Sequence, residues 1–274
     1  MRRVHPRLLR TLLLLAAALI VPEGCSREET GALPPKKDLY RYALAVAERA
    51  RGLANPDAYL PLYHVGKVHQ QFGMEDVALE YYRRALKLDP DAYEVYRDMG
   101  FILSQRQGEG RLREAVEAYQ QSLLRNEAQK GIFTRIGLVL THQGSLSRAV
   151  AALTHEIRRG TADAFTYYNL GQAYKQQNDN RKAVEHYRKA LDMEPGLREA
   201  IYGLSQSLKV LGHEEEADQY LDRFQALRDE HQERELEPRT DKTDRDELVG
   251  HAAEAWVRAA EVFAIEAGRS EAQA

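Results

Sequence analysis

Residues 164–197 carry the clearest alternation of apolar and polar positions in the chain. Tyr167, Leu170, Gly171 and Tyr174 recur at three- and four-residue steps, which places them on one side of a helix. The polar run Gln176-Gln177-Asn178-Asp179-Asn180 interrupts that pattern and predicts a turn. The period resumes with Ala183, Tyr187 and Ala190, and Pro195 stops it. The stretch therefore predicts two helices folded back on one another. Gly171 and Ala183 are small because the two helices cross closely there, and a larger side chain would hold them apart.

The same spelling recurs along the chain in five frames: 59–92, 93–129, 130–163, 164–197 and 198–231. The eighth position reads Gly66, Gly100, Gly137, Gly171 and Ser205. The twentieth reads Ala78, Ala115, Ala149, Ala183 and Ala217. In the second frame three extra residues are assigned to the turn at Gly108-Glu109-Gly110. In the third, Glu156 stands where a small residue is usual, which predicts the poorest packing of the five. These offsets resemble the tetratricopeptide-repeat family, whose unit is a helix-turn-helix of about 34 residues. The resemblance implies an all-α fold, an α-solenoid of about five repeats with flanking cap helices.

The flanks read differently. Residues 1–24 begin with Arg2, Arg3, Arg7 and Arg10 and continue into a short apolar run at 11–21, the anatomy of a secretory signal. Cys25 follows, after Gly24, in an arrangement that resembles a bacterial lipoprotein signal. Pro22 and Glu23 stand where that family prefers Leu and a small residue. The resemblance implies a lipidated Cys25 and an extracytoplasmic, membrane-anchored protein; ordinary cleavage nearby and an uncleaved anchor stay open. Residues 25–37 then read as a tether and 38–58 as an N-terminal cap helix. Residues 232–247 form a charged linker. Residues 248–274 hold an amphipathic helix with Val249, Trp256 and Phe263 on one stripe, and a tail. Three placements suit that helix: capping the last repeat, lying in the chain's own groove, or meeting a second copy.

Composition narrows the function classes. Charged residues are 30% of the chain and the formal net charge is −3, so no basic field exists to gather nucleic acid. Cys25 is the one cysteine, which excludes an internal disulfide framework and a multi-cysteine metal site. His64 and His69 are five apart, not an i, i+4 pair, and His69 falls on a core-facing position. No HExxH, CxxC or phosphate-binding glycine loop occurs. We therefore expect no catalytic residues, no metal and no cofactor.

In the resembled family the first helix of each repeat lines the inner face. Carried over by position, that groove takes Tyr63, His64 and Lys67 from the first frame, then Arg97 and Phe101 from the second. Arg135 and His142 follow from the third, and Tyr168, Asn169, Gln172 and Lys175 from the fourth. Tyr202, Gln206 and Lys209 come from the fifth. Phe165 belongs to the same face, and Glu94, Asp98 and Glu199 are its acids. Asn169 resembles the amides that hold peptide backbone in clamp-type members. The implied role is a scaffold that binds another protein or an extended peptide, tethered to a membrane through its N-terminus. Two other readings stay open: a self-associating protein whose groove holds its own C-terminal helix, and an accessory subunit of an envelope enzyme.

Overall fold

The protein is described by a computed structural model covering residues 44–45, 58–105 and 108–236, with backbone only at 231 and 233–236. The expected signal, Cys25, the tether, nearly all of the N-terminal cap helix, the rest of the charged linker and the segment 248–274 lie outside these residues. The described residues hold ten helices and no strand. They fall into two compact units, one containing 58–90 and the other 91–236.

The first unit contains α1 (Tyr59–Gln71) and α2 (Glu75–Leu88). A Cβ at Gly66 would lie 2.5 Å from the Tyr82 ring, so the ring packs directly on the α1 backbone. Tyr82 donates to Gln70 Oε1 at 2.6 Å. His69 is buried and stacked on Tyr81 at 5.2 Å, as its core-facing position predicts. Leu44 packs against Val65 and Val68.

The second unit contains four more hairpins: α3 (Tyr93–Ser104) with α4 (Glu109–Arg125), α5 (Ile132–His142) with α6 (Leu146–Arg158), α7 (Ala164–Gln176) with α8 (Asn180–Met193), and α9 (Arg198–Val210) with α10 (Glu214–Leu236). Each second helix also touches the first helix of the following hairpin, and α5, α7 and α9 touch in series. The first helices thus build one face and the second helices the other.

The glycine and alanine positions explain the packing. A Cβ at Gly100 would lie 2.8 Å from the Tyr119 ring, and one at Gly137 would lie 2.5 Å from Leu153. Tyr187 serves two hairpins at once, because Cβ atoms at Gly171 and Gly203 would come within 2.7 Å and 2.6 Å of its ring. Ala115, Ala149 and Ala183 are fully buried, where any larger group would push two helices apart. The turn between α7 and α8 needs a left-handed residue, and Asn178 supplies it with φ 62°. Asp163 opens α7 with a capping box: it accepts from the Thr166 amide at 2.8 Å while Thr166 accepts from the Asp163 amide.

Three sequence expectations change. Glu109 and Gly110 are not turn residues. They form the first turn of α4, which runs for 17 residues and absorbs the extra length as helix. The charged stretch expected to begin as a linker at 232 is helical to Leu236, since Glu, Gln and Arg are good helix formers and Pro238 comes two residues later.

The third concerns Glu156. It does not loosen its hairpin; it is fully buried and closes the start of α5. Its two carboxylate oxygens accept from the Gly131 amide at 2.9 Å and the Phe133 amide at 3.2 Å, and the Thr161 hydroxyl donates to it as well. Two amides that a helix start leaves without internal partners are thereby satisfied.

Candidate functional site

The residues carried over to the groove separate into those that face open space and those that do not. In the first unit Tyr63 is 8% exposed with its ring 5.7 Å from Tyr82, so it fills the core and presents little surface. His64 and Lys67 are half-buried on α1. In the second unit Asp98 is buried and bound to Arg97 at 3.0 Å, so it is not an open groove acid as the sequence reading had it. Phe101 is exposed, and the Arg135 guanidinium lies 5.5 Å above its ring. Tyr202 and Lys209 are exposed on α9, and Gln206 is half-buried between them.

The first helices α5, α7 and α9 enclose a cavity of about 400 Å³. Six of the residues that repeat position assigned to the groove line it: His142, Phe165, Tyr168, Asn169, Gln172 and Glu199. Sequence position did not single out the others. Leu138 and Thr141 come from α5, Gln176 from α7 and Leu197 from the loop before α9. Phe165, Tyr168, Leu138 and Leu197 make the apolar part, while His142 and Glu199 are exposed.

Hydrogen bonds fix the polarity of the cavity floor. Asn169 is 1% exposed, and its Nδ2 donates to the Phe165 carbonyl at 2.7 Å. That bond settles the amide's orientation and leaves Oδ1 as an acceptor with no donor among the described residues. Tyr187 donates to Gln172 Oε1 at 3.1 Å, and Gln172 Nε2 donates to the Tyr168 hydroxyl at 2.8 Å. Tyr168 therefore receives one hydrogen bond and keeps its own proton for a further acceptor. The floor offers one acceptor and one donor, the pair that a peptide unit answers with its N–H and C=O.

The charge around the cavity is mostly unspent. Lys175 is half-buried one turn beyond Gln172 and has no carboxylate partner among the described residues. Burial pulls its ammonium pKa below the usual lysine value. Lys209 likewise has no ion pair among the described residues. The described residues hold no cluster of three or more metal-ligating side chains, and none of their helices is long and apolar enough to cross a membrane.

Family models described as tetratricopeptide repeat match residues 61–92, 106–164 and 164–197. Among solved structures, a crystal structure of MamA superposes with a TM-score of 0.56 at 22% identity, covering 62% of this chain and 97% of that one. MamA 41-end from Desulfovibrio magneticus RS-1 gives 0.54 at 21% identity over 75% of this chain and 99% of that chain. YrrB, described as a TPR protein with an unusual peptide-binding site, gives 0.54 at 19% identity, covering 68% and 94%. These likenesses show the fold. In sequence, the human protein O-mannosyl-transferase TMTC1 is 25% identical over 137 residues, half of this chain and 15% of that protein.

Proposed function

The chain being an all-α tetratricopeptide-repeat solenoid, we propose that it is a protein-binding scaffold that takes an extended segment of a partner on the face built by α5, α7 and α9. The observation that carries this reading is the floor of the cavity. Asn169 Oδ1 and the Tyr168 hydroxyl present an unused acceptor and an unused donor beside apolar walls from Phe165, Leu138 and Leu197. A peptide unit satisfies both, and its side chain enters the apolar part. YrrB, of like fold, is described as having a peptide-binding site, which supports the reading.

The unspent cations at Arg135, Lys175 and Lys209 favour a partner segment that is acidic. We expect crosslinked capture from native cells to retain a discrete partner on the wild type and to lose it on the double variant Arg135→Glu/Lys175→Glu. Equal capture by both would place the interface elsewhere. Catalysis forms no part of this reading.

The location is part of the same proposal. A basic start, a short apolar run and Cys25 directly after Gly24 support secretion and lipid anchoring of Cys25, with residues 25–37 as the tether. Cys25→Ser is expected to move the protein from the membrane fraction to the soluble fraction. A protein that stays membrane-bound after that change would count against lipidation.

A further inference from the structure

We propose a second subsite on the same face, between α3 and α5, where Tyr119 and Arg135 receive the carboxylate of an acidic side chain of the bound segment. It rests on the reading of this face as a peptide groove.

Three hairpins place a tyrosine at the same point of their second helix: Tyr82, Tyr119 and Tyr187. Each is fully buried beneath a glycine of the first helix. Tyr82 and Tyr187 donate to glutamines of their own first helix, Gln70 and Gln172. The positions equivalent to those glutamines in α3 are Ser104 and Phe101. Ser104 spends its proton on the Phe101 carbonyl at 2.7 Å. The Tyr119 hydroxyl is buried and makes no well-formed hydrogen bond among the described residues.

A buried hydroxyl left unmade destabilises a fold, so its retention where phenylalanine would pack equally well asks for a use. Ser104, Arg135 and Asp98 all lie near the phenol; Ser104 and Arg135 are close enough to act on it as hydrogen-bonding neighbours, but neither makes a well-formed bond to its hydroxyl. Burial raises the Tyr119 pKa, with smaller opposing effects from Ser104 and Arg135, so the phenol is a neutral O–H donor at neutral pH.

Arg135 supplies the charge. It is exposed, it makes no ion pair among the described residues, and it lies over the Phe101 ring and beside the Tyr119 phenol. It can therefore swing aside to admit a ligand and then close on it. Asp98 is bound to Arg97, so the group Arg97, Asp98 and Arg135 carries one surplus positive charge. A singly charged carboxylate matches this set, with one oxygen on the guanidinium and the other on the phenol. A phosphate dianion would bring a second negative charge close to Asp98. Neighbouring helices lie about 8–10 Å apart. An extended chain crosses that distance in about three residues. The bound segment should thus carry Asp or Glu about three residues from the apolar residue that enters the cavity of α5, α7 and α9.

The test is selection of a phage-displayed random dodecapeptide library on the full chain, followed by affinity measurement on the best peptide. Enriched peptides should pair an acidic residue with Leu, Phe or Met at that spacing. Tyr119→Phe should bind the best peptide about tenfold more weakly. Its melting temperature should equal or exceed that of the wild type. Replacing the peptide's Asp or Glu by its amide should lose a similar factor on the wild type and little more on Tyr119→Phe. Enriched peptides lacking the acidic position, undiminished binding by Tyr119→Phe, or a lowered melting temperature would each overturn the subsite while leaving the groove in place. If no peptide is enriched, the groove reading falls with it.

Discussion

Replacing Tyr187 with alanine is expected to destabilise the second unit by about 4 kcal/mol, in the range of large aromatic-to-alanine changes in cores. The ring is fully buried, and it lies against two glycines on two different helices. Gly171 and Gly203 exist to let α7 and α9 approach it, so neither wall has a side chain that could relax into the space left behind. The substitution also removes the hydrogen bond that holds Gln172, and through Gln172 the orientation of Tyr168. In a repeat array each hairpin is stabilised mainly by its neighbours. Loss of this shared ring should therefore uncouple α9 and α10 from α7 and α8. Urea unfolding followed by circular dichroism reads the loss, and hydrogen exchange should rise in α9 and α10. Gly203→Val approaches the same ring from the other side and should cost about 1–3 kcal/mol by overpacking. A loss below about 1 kcal/mol for Tyr187→Ala would contradict this account of the packing, since even a buried isoleucine-to-valine change costs about that much.

The second large effect concerns Glu156, where two lines of reasoning give opposite signs. Judged by repeat position alone, alanine is the expected residue there, and Glu156→Ala should stabilise the chain. The structure reverses that expectation. The carboxylate holds the amides of Gly131 and Phe133 and the Thr161 hydroxyl in a buried setting. Alanine would leave those donors unpaired and open a void, at a combined cost of about 3 kcal/mol. Glu156→Gln keeps one accepting oxygen but turns an NH2 group toward donors, so its cost should be smaller but still a loss. Thermal unfolding of both variants measures this. A melting temperature for Glu156→Ala at or above the wild type would show that the cap contributes nothing.

The fold was largely written in the small residues. Gly66, Gly100, Gly137 and Gly171 each meet a large side chain of the paired helix, and the alanines at the twentieth position are buried where the helices cross. Those positions are legible because close approach has one chemical solution, the absence of a side chain. The site was legible only as a face. Repeat position assigned Tyr63, Asp98 and Asn169 to the groove, yet Tyr63 and Asp98 are covered by their neighbours. How far a neighbouring side chain reaches depends on its rotamer and not on spacing, so sequence could not separate them from exposed Phe165 and Tyr202. Glu156 and Tyr119 were illegible for a related reason. The partners of Glu156 come from a different helix and a loop and follow no repeat position, and the bonds of Tyr82 and Tyr187, against which Tyr119 stands out, go to two different repeat positions.

The claim most in need of direct test is that the partner lies on the face of α5, α7 and α9. A photo-crosslinking amino acid placed at Phe165 or at Tyr202, both exposed on that face, should give one discrete adduct in native cells. The same group at Met193, exposed at the end of α8, should give none. Adding Arg135→Glu/Lys175→Glu should abolish the adduct from both productive positions. Adducts from position 193 in place of 165 and 202, or adducts indifferent to the charge reversal, would contradict the groove reading.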